Sequence, residues 1–194
     1  MKNIIKILLL ILLSHTSFSQ NKSVSELTKE IHSRMNNEKA NYIILSRTIS
    51  TLTLTIEENK NISNWENHYK LFIIINKLGK TVVEEYQDGK NSKSFEINDS
   101  KIFKFLKNNF SSINIEKLND FEYEKDGSKV HLAQSNSGEM EIDVVLNQST
   151  YHNKFDEFFL EFSSNSRLKL IKLISHIEDE LRPYYEHHPF YVND

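Results

Sequence analysis

Hydrophobic residues along this chain alternate between a spacing of three to four and a spacing of two, the rhythms of an amphipathic helix and of a strand. Val24, Leu27, Ile31 and Met35 recur at helical spacing, and Ser23-Val24-Ser25-Glu26 has the form of a capping box. Together they predict a first helix over residues 24–39. Tyr42 to Ile56 is dense in Ile, Leu and Thr and predicts a strand, with a polar turn over Asn59 to Asn64. Tyr69 to Asn76 is a further apolar strand. Leu78-Gly79-Lys80 turns it into Thr81 to Tyr86, and Asp88-Gly89 turns that into a short strand around Phe95 and Ile97.

The second half repeats the rhythm. Asn98-Asp99-Ser100 precedes a helical stripe of Ile102, Phe103, Leu106 and Phe110. Phe121 to Glu124 faces Lys129 to Ala133 across Asp126-Gly127, Ser137-Gly138 leads into Met140 to Leu146, and Glu157 to Phe162 reads as a last strand after a polar loop. Ser164-Asn165-Ser166 caps a final helix with Leu170, Ile171, Ile174, Ile177 and Leu181 on one face, and Pro183 ends it.

This order predicts an α+β fold of antiparallel sheets with three helices. It suggests two αββββ units, in halves 24–97 and 98–183, plus a C-terminal helix and a tail over 184–194, all within one domain over 20–194. In layout alone the chain is similar to cystatin-like folds and to tandem αββββ inhibitor proteins. That resemblance rests on element order, carries no motif of either family and implies no site residue.

Residues 1–19 follow a different pattern. Lys2 and Lys6 form a short positive region, Ile7 to Leu13 an apolar run, and Ser17 and Ser19 stand at the −3 and −1 positions for a cut before Gln20. This is the form of a secretory signal peptide. The polar run from Ser14 to Ser17 stops the apolar stretch far short of the about 20 residues that span a bilayer. The expectation is an exported protein, periplasmic or extracellular, with no stable membrane insertion after cleavage.

Composition narrows the chemistry. The chain has no Cys, which excludes disulfides, thiol catalysis, iron–sulfur clusters and a lipid anchor on cysteine. Its net charge is −3; without Lys2 and Lys6 the mature chain has 22 basic and 27 acidic residues, a net charge of −5. With no basic cluster, nucleic acid is excluded as an expected partner. The familiar hydrolase and phosphate-loop motifs are absent, and four scattered glycines build no phosphate cradle.

The densest chemistry lies in the tail, Tyr184-Tyr185-Glu186-His187-His188-Pro189-Phe190-Tyr191. His187, His188 and Glu186 are candidate metal ligands, with His176 as an added donor, because zinc accepts imidazole and carboxylate. The same residues also read as an aromatic tail packed back over the fold, or as a partner-binding segment in which Tyr184, Tyr185, Phe190 and Tyr191 are the contacts. Trp65, beside His68 and Tyr69, is a further candidate anchor. His152 and Asp156 are four apart, with Ser149 and Thr150 nearby, and form a candidate base pair in a stretch read as loop. His176 and Glu180 read as a solvated i,i+4 pair, and His131 as an exposed strand residue. Phe155, Phe158, Phe159 and Phe162 read as core or as the lining of an apolar pocket.

The resulting expectation is a soluble, non-enzymatic binding protein with a protein partner and no cofactor, an inhibitor or immunity-type role being one form of it. A metal-assisted hydrolase using the tail histidines and a carrier of a small apolar ligand are the alternatives.

Overall fold

The structure, a computed structural model, describes residues 22–57, 60–118, 122–125, 128–131, 138–160 and 164–190. Its elements in chain order are α1 (Val24–Glu38), β1 (Asn41–Glu57), β2 (Lys60–Lys77), β3 (Lys80–Gln87), β4 (Lys90–Ile97), α2 (Ile102–Ile115), β5 (Glu122–Lys125), β6 (Ser128–His131), β7 (Glu139–Leu146), β8 (Ser149–Asp156) and α3 (Lys169–Leu181). The fold is α+β: six antiparallel strands form one sheet in the order β4-β3-β2-β1-β7-β8, and β5-β6 form a separate two-stranded sheet. The layout as two cystatin-like αββββ units is not confirmed. β7 adds to β1 in the register Tyr42↔Val145 to Thr48↔Glu139, so strands from both halves of the chain share one sheet.

Helices cover both faces of that sheet. On one face Leu27, Ile31 and Met35 of α1 pack on Tyr42, Ile44, Leu71, Ile73 and Val145. On the other, α2 and α3 pack on Ile43, Leu45, Phe72, Ile74, Val83, Ile142 and Val144. Successive strand residues point to opposite faces, so a strand covered on both sides must be apolar at every position. That is why Tyr42-Ile43-Ile44-Leu45 and Leu71 to Ile75 are unbroken apolar runs, all at most 5 % exposed. The outer strands β4 and β8 are polar, as uncovered edges require.

The turns follow from backbone chemistry. Leu78-Gly79 and Asp88-Gly89 both take positive φ at each central residue, the twist that suits a two-residue hairpin. A third turn of the same kind, Asn147 (φ 50°) and Gln148 (φ 68°), has no glycine. It joins β7 to β8, so Ser149–Asp156 is a strand and not the expected loop. Glu157–Leu160, expected as a strand, is a 3-10 turn instead. The expected polar turn at residues 59–64 is strand from Lys60 onward.

The helix starts divide in the same way. Ser23 and Glu26 form the expected capping box, which holds the Glu26 carboxyl below its ordinary range through bonds to Ser23. The start of α3 is different: Leu168 occupies the cap position with no side-chain bond, and the Leu170 amide donates to Glu116 from the end of α2, at 3.1 Å. Asn165 is instead wholly buried and donates to the Phe159 carbonyl at 3.1 Å.

Candidate functional site

After α3 the chain turns through Arg182–Tyr184, with Pro183 in the first turn, and lays its tail across one end of the sheet. The Tyr184 ring stacks on Phe95 of β4 at 4.2 Å between centroids. Tyr185 and Phe190 meet the Phe72 ring of β2 edge-on, at 6.2 and 5.6 Å. Phe190 is 2 % exposed, so the described part of the tail is anchored at both ends.

Beneath these rings lies a row of charged residues on the same sheet face as Leu45 and Phe72. Arg47 bonds Glu157 through Nε and Nη2, at 2.8 and 2.7 Å, and donates from Nη1 to the Phe190 carbonyl at 3.0 Å. Gly138 makes room for this pair, since a Cβ there would lie 3.0 Å from Glu157 and 3.2 Å from Arg47. Beside it Lys70 Nζ stands 3.3 Å from Glu85 Oε1, both side chains at most 6 % exposed. The Tyr185 hydroxyl donates to Glu85. Burial first, then the bond to Glu85 and its charge, push the Tyr185 phenol far above its ordinary range. The Lys70 and Lys93 ammonium groups lie 4.8 and 4.4 Å from the Tyr185 ring centre, within the reach of cation–π attraction.

Lys70, Lys93 and the run from Tyr184 to His188 enclose an open cavity of about 650 Å³. Its wall combines two ammonium groups, two imidazoles and two phenol rings with the single carboxylate of Glu186. Such a wall suits an acidic or polar group presented from outside, held by charge and by ring faces.

The expected metal ligands do not gather into a group of three. His188 Nε2 pairs with Glu178 of α3 at 2.7 Å, and its Nδ1 accepts from the Phe190 amide at 3.3 Å. Glu186 and His187 are exposed at the cavity rim. His176 packs against the Phe105 ring at 4.7 Å. Glu180, its expected partner, accepts instead from the Lys101 amide at 2.7 Å at the start of α2.

His152 does not pair with Asp156, because a strand separates residues four apart. Its Nδ1 lies 2.8 Å from Asp143 Oδ1 on the neighbouring strand, while Asp156 accepts from the Phe158 amide at 2.9 Å and starts the 3-10 turn. Ser149 and Thr150 are exposed beside the β7–β8 turn. Among the described residues, the three donors that do converge are Glu141, Asp143 and His152, with ligand atoms all within 4.8 Å of one another. That pairing follows from strand register: the two-residue turn at Asn147-Gln148, which carries no glycine to mark it, sets Asp143 opposite His152.

Trp65 sits in β2 with its backbone opposite Leu52, and His131 ends β6 opposite Glu122. Tyr191 and Phe162 lie outside the described residues, as does the signal peptide expected over 1–19. His68 bonds Asp88 at 3.3 Å, and the Tyr69 hydroxyl donates to the Lys22 carbonyl. Phe155 belongs to the main core, with Phe159 packed against it.

Comparison of the chain with protein-family models, with curated proteins and with solved structures finds no match.

Proposed function

We propose that the protein is an exported, non-enzymatic binding protein that recognises a partner protein at the cavity walled by its C-terminal tail. One observation carries this reading: Tyr184, Tyr185 and Lys93 stand around an open cavity of about 650 Å³, over a rigid floor formed by the buried Lys70–Glu85 pair. Aromatic rings and cations preorganised on a packed base are the chemistry of an interface hot spot. The exposed ammonium group of Lys93 beside the rings of Tyr184 and Tyr185 favours a polar or acidic group on the partner, and an inhibitor or immunity-type role is the concrete form. The tail histidines offer less to a metal-assisted hydrolase, since His188 is engaged by Glu178 and the tail donors form no ligand group among the described residues.

The test is affinity capture by the purified chain from the cell envelope of its own host, read by mass spectrometry and followed by a binding titration. A single partner is expected, weakened at least about tenfold by Lys93→Glu or Tyr184→Ala and unaffected by Lys154→Glu on the opposite edge. Absence of a saturable partner, or a partner insensitive to both tail variants, would overturn the reading.

A further inference from the structure

On the α1 side of the sheet, away from the tail, Glu141, Asp143 and His152 bring their ligand atoms within 4.8 Å of one another, and His32 of α1 stands beside them. Asp143 of β7 is the hub. Its carboxylate has His152 Nδ1 of β8 at 2.8 Å on Oδ1 and His32 Nε2 of α1 at 3.6 Å on Oδ2. Glu141, two residues back on the same face of β7, brings Oε1 to 3.9 Å from the same His152 nitrogen. We propose that Glu141, Asp143 and His152, with His32 of α1 on the far oxygen of Asp143, form a binding site for a divalent transition-metal ion of the zinc type.

Three physical arguments support the assignment. The first is spacing. Donors bound to one tetrahedral ion at about 2.0–2.2 Å lie about 3.3–3.6 Å from one another; the ligand atoms of Glu141, Asp143 and His152 lie within 4.8 Å of one another, and the 2.8 Å hydrogen bond from His152 to Asp143 is one that a bound ion would replace. The second is charge. Asp143 has a side chain only 12 % exposed, and the partners it meets among the described residues are imidazoles and not Lys or Arg. With the Glu141 carboxylate beside it, the site holds two negative charges that a dication would offset; buried charges are ordinarily paired or bound to metal. Lys154, opposite Glu141 in register, is turned to Glu139 at 2.7 Å.

The third argument is orientation. Metal-binding histidines are held through their second ring nitrogen, and His32 Nδ1 is fixed by the Tyr42 hydroxyl at 2.6 Å. That bond directs Nε2 at Asp143, and with the Tyr42 hydroxyl accepting from Nδ1 the Nε2 lone pair is free for a metal. Tyr42 is itself 1 % exposed, so the support is rigid. His152, with its side chain 55 % exposed, forms the open side through which an ion and a water ligand enter. Mixed imidazole and carboxylate donors suit Zn²⁺, Mn²⁺ or Co²⁺ over Ca²⁺.

The test is isothermal titration of chelator-stripped full-length protein with zinc chloride, repeated with cobalt(II) to read the coordination geometry from its visible absorption. One ion per chain is expected, with saturation below about 0.1 mM. His152→Ala, an exposed position that leaves the core intact, should weaken binding at least about tenfold, as should His32→Ala. Asp143→Asn should do the same with its fold checked by circular dichroism. The double variant His187→Ala/His188→Ala should bind as the parent does. Absence of saturable binding, or binding that survives His152→Ala but is lost in the tail double variant, would overturn the assignment.

Discussion

The buried Lys70–Glu85–Tyr185 group shows what a single charged side chain contributes inside this fold. Desolvating an ion is expensive, and a pair offsets that only while both partners remain. Lys70→Ala should therefore lower the unfolding free energy by about 3–5 kcal/mol, measured by urea denaturation, because the buried Glu85 carboxylate loses its cation. A change well under that range would mean that solvent reaches Glu85. The phenols give a pH signature of their own. The Tyr69 hydroxyl, buried and near Asp88 and Glu26, has its pKa pushed up from 10.0 to about 12. A phenol whose pKa is raised on folding favours the folded state fully below the unfolded value, and that contribution is lost as pH climbs through the folded one. Stability should thus decline between pH 10 and about 12, and alkaline absorbance titration should show late-ionising phenols, with Tyr69→Phe removing one of them.

Turns show how much of each element was legible in the chain. Gly79 and Gly89 both adopt positive φ, but they are not equivalent. A Cβ at Gly79 meets nothing within 4 Å, whereas at Gly89 it would stand 2.8 Å from the Lys22 amide and 3.1 Å from the Tyr69 hydroxyl. Gly79→Ala should cost about 1–2 kcal/mol, the left-handed strain alone, and Gly89→Ala clearly more, with loosening of the segment before α1 seen by hydrogen exchange. Both glycine turns, the capping box at Ser23 and the stripes of α2 and α3 could be read directly, since each depends on neighbours in sequence. The Asn147-Gln148 turn was hidden because neither residue is the glycine that usually marks positive φ, and β8 was missed with it. Asp143 and His152 then stayed apart on paper, since only strand register brings them together. The cap on α3 was unreadable for a related reason: its donor, Glu116, lies 54 residues away.

At the scale of the whole molecule the sheet ends in two open edges, and each is blunted. β4 carries Lys90, Asn91 and Lys93 along its exposed length, and a bulge interrupts its pairing with β3 at Glu85/Tyr86. β8 carries His152 and Lys154. Charged edge residues of this kind oppose strand addition by another chain. Replacing Asn91 and Lys93 together by Val should increase self-association, seen as earlier elution in size-exclusion chromatography at equal concentration. The central place of β1 has a further bearing, on the order of events during synthesis. β1 to β4 are successive hairpins, formed by contacts local in sequence, and such contacts form quickly. The other side of β1 finds its partner about a hundred residues later, with Tyr42 waiting for Val145. Until β7 leaves the ribosome, the strand flank from Tyr42 to Thr48, apolar from Tyr42 to Leu45, stands unpaired, and transient edges of this kind are where aggregation begins. The growing chain is thus most vulnerable while it is about three-quarters made, and a holding chaperone acting in that interval would raise its yield more than any change to the finished fold.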